Sequence, residues 1–344
     1  MRKTLLFGVM IMIIMSQASN SFAADAANPR GARGGRGAGR GAGMNMGRGM
    51  GMGRGNGAPQ QRGPSEEEIQ KMEEAMPTKA VVEPKKPRKL LVIDILGQGA
   101  FNHTCIPYWN KTLEIMGEKT GAFTAVVSSD INMFSAENLK EFDAVCLNNS
   151  VSLPLSPDKT PELCKALMDF IKGGKGIMAI HAGTDAFYTG AYIWPEASEM
   201  LGGKFSGHPW TDNGRDQWAV KIDEPDNPLM VPFKGEGFKL YDEIYRTDPP
   251  LYQREKQLVL MSLDMSDETT KGARGQKPTD EDTGISWIKN WGEGRVFYCS
   301  LGHNHAVTWT APILEHYLRG IQFALGDLEV DATPKPLKPA ATEN

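Results

Sequence analysis

Six histidines occur in 344 residues, and their placement is uneven. His303 and His305 stand in SLGHNHAVTW, directly after the apolar run Arg295–Cys299. His181 follows GIMAI and opens HAGTDAFY, while His103 follows KLLVIDIL after a short glycine-containing loop. His208 lies in the glycine-rich stretch LGGKFSGHPW. His316 falls inside a helical pattern, where a surface position is expected. Carboxylates accompany the others: Asp185 follows His181 closely, and Asp242 and Glu243 sit together in YDEIYR. Imidazole titrates near neutral pH and serves as acid, base or metal ligand. A nearby carboxylate orients it or completes a metal site. One histidine after a strand is usually a loop hydrogen-bonder; four at strand ends point to chemistry.

Several chemistries are excluded. IMAIHAGT has the small-residue frame of a nucleophile elbow, but histidine occupies the nucleophile position. A Ser- or Cys-dependent acyl transfer, including a Cys-dependent amidotransferase, is not expected. Thr184 is a weak substitute and reads better as a substrate contact. No Walker or G-x-G-x-x-G pattern follows a strand, so nucleotide binding is not expected. The four cysteines (Cys105, Cys146, Cys164, Cys299) lack metal spacing and read as single buried thiols.

The elements that must position these residues alternate. KLLVIDIL, FTAVVSS, DAVCLNN and KGIMAIHAG read as strands, separated by helices in PYWNKTLEIMGEKT, SAENLKEF and PDKTPELCKALMDFIKGG. Continuous apolar strands alternating with helices specify a parallel sheet covered on both faces. QWAVKID, LVLMSLD, ISWIKNWG and GRVFYCS read as a mixed extension, with WGEGR as a turn, before a closing helix. The fold class is α/β, a three-layer sandwich around a mostly parallel sheet. In such sheets ligands bind outside the carboxyl ends of the strands, where the polar residues collect.

The chain divides by composition. Residues 1–23 pair Arg2 and Lys3 with an apolar run and end in Ser-Phe-Ala, the pattern of a cleaved signal peptide. Export to a periplasm or cell surface is therefore expected, with no stable membrane span after processing. Residues 24–64 are a Gly/Arg/Met-rich tether that has no means to bury a core. Residues 65–88 form a short acidic helix, capped by Ser65, and a linker; 89–330 form the folded domain and 331–344 a flexible tail. Nine basic groups lie before residue 64 against one acid, leaving 29 basic and 41 acidic groups, a net −12, for residues 64–344. Such a domain does not invite nucleic acid, and a neutral or cationic small ligand suits it better.

IHAGTDAFY, LGGKFSGHPW, LYDEIYR, GRVFYCSLGHNHAVTW and LRGIQFAL occur in an order and spacing that resemble the ThuA-like (trehalose utilisation) family. The resemblance spans roughly Lys89 to Gly326. It implies a flavodoxin-like domain similar to class I glutamine amidotransferases. It also implies carbohydrate metabolism, with disaccharides and their 3-keto derivatives as substrates, and a pocket lined by His181, Asp185, His208, Glu243 and His303. Asn227 stands where the family often has histidine, and the tether has no counterpart there.

Three readings follow. The first is an enzyme (hydrolase, lyase or isomerase) acting on a sugar, glycoside or 3-keto-sugar. In it His181 or His303 is the base, Asp185 or Glu243 orients it, and His103, Thr184, Tyr188, His208, Trp210, Asn304 and Trp309 contact substrate. The second uses the same cluster to hold a divalent metal such as zinc, with ligands drawn from His103, His181, His208 and His303. The third is a non-catalytic carbohydrate-binding or structural module. The partner in each is a small carbohydrate, and self-association stays open.

Overall fold

A computed structural model describes residues 62–188 and 190–337. The expected signal peptide and all of the tether up to residue 61 lie outside the described residues. No helix among the described residues is long and apolar enough to cross a membrane.

The elements run α1 (Glu66–Ala75), β1 (Lys89–Ile93), α2 (Ile106–Thr120), β2 (Thr124–Ser128), α3 (Ala136–Leu139), β3 (Ala144–Asn148), α4 (Pro161–Lys172) and β4 (Gly176–Ile180). They continue α5 (Pro195–Leu201), β5 (Trp218–Ile222), β6 (Phe238–Leu240), β7 (Leu258–Leu263), α6 (Glu268–Lys271), β8 (Gly284–Trp291), β9 (Gly294–Cys299) and α7 (Ala311–Ala324). One nine-stranded sheet has the order β2-β1-β3-β4-β9-β8-β7-β5-β6. Its first five strands pair in parallel, and from β9 onward the pairings are antiparallel.

Local sequence sets the helix ends. Ser65 caps α1 in a capping box with Glu68, and Ser135 caps α3 through Asn138 N–H, both as the residue types predict. Gly173 closes α4. Side-chain alternation then feeds two cores. Leu90, Val92, Cys146, Met178, Ile180, Phe297 and Cys299 face α2 and α7, packing with Trp109, Leu113, Tyr317 and Ile321. Leu91, Ile93, Val145, Leu147, Ile177, Ala179, Val296 and Tyr298 face α3, α4 and α5, packing with Leu139, Leu167 and Met200. Because both faces are covered, β3 and β4 are apolar at almost every position and wholly buried. Each fully buried Leu, Ile or Phe contributes roughly 1.5–3 kcal/mol. The four cysteines are free and buried within this packing.

The surface position expected for His316 is wrong. Its ring is fully buried in α7, with Nδ1 3.0 Å from Leu229 O and Nε2 3.0 Å from Ser286 Oγ. α7 covers the sheet, so the helix face that carries His316 points inward.

Candidate functional site

The parallel strands deliver their polar residues to one edge. After β4, His181 opens a 3-10 turn (His181–Asp185) with φ of 45°, a left-handed conformation that costs a non-glycine residue about 1–2 kcal/mol. The elbow frame read from the sequence is thus realised, with an imidazole at its apex. His181 Nδ1 lies 2.8 Å from Ser300 O, a carbonyl that only accepts, so Nδ1 carries the proton. The neutral ring therefore keeps its lone pair on Nε2, 3.6 Å from Glu243 Oε1.

β9 leads into Ser300–Asn304. Gly302, with φ of 142°, lets this turn pass Trp109, whose indole N–H donates to Gly302 O at 2.9 Å; a Cβ there would sit 2.7 Å from Trp109 Nε1. Asp242 fixes the same turn from the other side, accepting Gly302 N–H and Asn304 N–H at 2.7 Å each. Asp242 is fully buried, and burial pushes its carboxyl up to about 7. It is therefore a backbone clamp for His303 rather than an orienter of a ring. Asp212, which the sequence reading missed, takes the latter position: Oδ2 lies 3.6 Å from His303 Nδ1 and accepts from Asn304 Nδ2 at 2.9 Å.

Glu243 reaches the edge differently. It follows the outermost strand, β6, on an extended segment pinned by two antiparallel bridges, Trp210↔Ile244 and Phe205↔Thr247. Its two oxygens face two rings, Oε1 toward His181 and Oε2 3.4 Å from His208 Nδ1. His103 arrives from the loop before α2, its Nε2 3.1 Å from the Tyr245 hydroxyl.

The outcome is a four-residue group. His103, His181, Glu243 and His303 each offer a ligand atom, and these atoms lie within 4.8 Å of one another. Three imidazoles this close cannot all be protonated. Burial, then the neighbouring His181 and His303, lowers His103 to about 3, and burial lowers His181. Burial works to raise Glu243, yet His181, His303 and His208 hold it below the usual carboxylate range. Burial opposes a charge on His303 too, but Asp212 and the Glu243 carboxylate raise its pKa. Two neutral imidazoles and an ionised carboxylate are the protonation states that metal ligation requires.

The other expected residues separate. His208 stands outside the four, half-exposed on the far side of Glu243. Asp185 is nearly buried at the end of its turn, and its backbone carbonyl accepts Ser152 N–H at 3.1 Å. Thr184 is fully buried beside the Tyr298 hydroxyl. Asn304 caps the turn His305–Trp309 through Ala306 N–H. Lys204 Nζ lies 3.7 Å from the Tyr188 ring centre. Trp210 corrects an expectation: it is fully buried, donates to Thr270 O at 3.0 Å, and has no face for a sugar. Trp309 packs toward Tyr108 and Lys71 of α1. His305 stacks on Tyr108 at 3.8 Å and bonds Thr104, outside the cluster. Asn227, where the resemblance raised a histidine, is a cap that accepts Leu229 N–H at 2.9 Å.

A family model described as ThuA, trehalose utilisation, matches residues 91–324, most of the chain and all of the sheet but the first two residues of β1. The chain belongs to the ThuA family. Among solved structures, a ThuA-like protein from Bacteroides uniformis ATCC 8492 matches at 20% identity and a TM-score of 0.52, covering 70% of this chain and 93% of its own. A ThuA-like protein from Parabacteroides merdae ATCC 43184 matches at 19% identity and 0.50, covering 70% and 90%. At this identity the structural likeness establishes the fold. No curated protein matches the chain in sequence. The matched span includes all four members of the cluster, and the family's description places this ThuA chain in carbohydrate metabolism.

Proposed function

We propose that this protein is an exported, metal-dependent enzyme that cleaves a glycoside or 3-keto-glycoside at the carboxyl edge of its sheet. The observation that carries the proposal is the convergence of His103, His181, Glu243 and His303 with ligand atoms within 4.8 Å. Three imidazoles and a carboxylate suit zinc or a similar borderline ion. Such an ion, when bound, would supply Lewis-acid polarisation of a carbonyl or glycosidic oxygen.

The chain's own residues would do the rest. The Ser300 carbonyl fixes the His181 tautomer, and the Asp212 carboxylate, 3.6 Å from His303 Nδ1, favours a proton on that nitrogen. His208, half-exposed and beside Glu243, is placed to exchange protons with a substrate, a role that buried His181 is poorly placed to fill. In a 3-keto-glycoside the C2 proton is α to the carbonyl and the glycosidic C1–O bond is β to it. Transfer of the C2 proton to His208 leaves an enolate. Its electron pair forms the C1–C2 double bond as C1–O breaks, and the departing alkoxide takes the proton back from the His208 imidazolium. Export rests on the N-terminal pattern of residues 1–23.

The test is elemental analysis of the mature chain before and after chelation, beside His303→Ala, followed by turnover assays on trehalose, sucrose and their 3-keto forms. About one equivalent of metal, lost in the variant together with turnover, supports the proposal. Turnover without metal would transfer the chemistry to the histidines alone. Binding without turnover would make the protein a carbohydrate-binding module.

A further inference from the structure

Phe101 is 68% exposed, the most exposed of the large hydrophobic side chains described. A single apolar ring at a surface is ordinary, but the setting of this one is not. The chain before it is pinned: Leu96 bridges Val151, and Gly97 N–H donates to Val151 O at 2.8 Å. Gly97 passes Ser152 so closely that a Cβ would lie 1.9 Å from Ser152 O. The chain after Phe101 is pinned by His103, buried within the metal-ligand group. Leu96, Ala100 and Phe205 share a small apolar floor with Val151, Ala182 and Tyr245. Phe101 is thus held out between two anchors, its ring at 77° to that of His103 with centroids 4.9 Å apart. Phe205 of that floor lies nearly parallel to His208, at 5.6 Å and 24°.

We propose that Phe101 is the substrate-positioning platform of this site, stacking on the apolar C–H face of a pyranose ring whose polar edge meets the His103–Glu243 cluster. The inference rests on the carbohydrate reading above. A pyranose chair presents axial C–H groups on one face and hydroxyls around its rim. An aromatic ring beside polar groups matches that split. Anchors on both sides of Phe101 mean that little ordering is left to occur on binding. The other aromatic candidates are already engaged: Trp210 in the core, Trp309 against α1 and Tyr188 beneath Lys204. Sequence alone hid Phe101, because it lies in a loop with no pattern to mark it.

The experiment is calorimetric titration of trehalose, sucrose and their 3-keto forms into the mature, zinc-supplemented chain. Native protein is compared with Phe101→Ala, Phe101→Leu and Phe101→Trp, with melting temperature and zinc content recorded for each. Melting temperature and zinc content should not change. Kd for the bound sugar should rise about tenfold in the Ala and Leu variants and return to within about twofold of native in the Trp variant. For a turned-over sugar, KM should carry the loss while kcat holds. Native binding with an unchanged Kd in Phe101→Ala would overturn the platform and leave the carbohydrate reading standing. If the native chain binds none of the four sugars, the platform and the carbohydrate reading fall together. Rescue by Leu as fully as by Trp would also overturn it, since bulk rather than an aromatic face would then be what matters.

Discussion

His316 and His181 are both fully buried imidazoles, and they have opposite surroundings. His316 sits among Phe233, Phe297 and Tyr317, with each ring nitrogen 3.0 Å from a protein oxygen. His181 satisfies one nitrogen on Ser300 O and turns the other toward Glu243, among two further imidazoles, from a backbone held at φ of 45°. A structural histidine is finished by the protein around it. One whose second nitrogen faces other titratable groups, on strained backbone, keeps a lone pair that the protein around it does not use, which is what the proposed ligand role needs. Burial alone does not separate the two; the partner of the second nitrogen does.

The sharpest way to test that contrast is to remove the rings. His181→Gly, or Glu243→Ala, should abolish bound metal and lower turnover at least about a thousandfold. Stability in His181→Gly should fall by less than in His316→Ala, because relief of the left-handed strain offsets part of the cost of the cavity and of the unpaired Ser300 carbonyl. Elemental analysis and denaturant unfolding check this, and full metal occupancy in His181→Gly would refute the ligand assignment. His316→Ala should do the reverse. The cavity and the groups left unpaired should cost about 2–4 kcal/mol, with metal content intact. A variant as stable as native would contradict the packing described.

The same contrast has a pH signature. Burial lowers His316 to about 4, below the 6.5 of an unperturbed imidazole. A depressed histidine contributes stability that is complete above about 6.5 and is lost as pH falls toward 4, roughly 3 kcal/mol in all. His316→Gln does not titrate, so the native chain should lose that much stability relative to it across this window. Parallel stability curves would show that His316 is not held neutral by the fold. Asp212→Asn should act more gently, weakening metal affinity about tenfold through His303 without emptying the site. Competition with a chelator of known affinity measures this, and an unchanged affinity would mean that the 3.6 Å approach has no orienting role. The smallest effect is expected at Trp309→Ala. Its ring belongs to the α1 contact, so KM should stay within about twofold; a larger rise would place Trp309 against substrate after all.

Much of this was legible beforehand. Apolar runs at Leu90–Ile93, Ala144–Leu147 and Ile177–Ile180, separated by capped helices, specify strands buried on both faces wherever they are placed. The strand-end rule then put His181, His103 and His303 at one edge before any contact was known. Local patterns also supplied the Ser65 and Ser135 caps and the elbow frame around His181.

What only the tertiary structure decided were the matters of partner and direction. Glu243 meets His181 because the antiparallel half of the sheet carries residues 242–247 back over the edge, a pairing between positions about sixty residues apart. Asp242 and Glu243 are neighbours in the chain, yet one clamps the backbone of 302–304 and the other faces three imidazoles. His316 and Trp210 turned inward, and Phe101 outward, against what residue type suggested. Periodicity is a property of a segment and survives in the sequence. The partner of a ring nitrogen, or the cover over an aromatic face, belongs to two segments brought together by folding, and neither segment carries it alone.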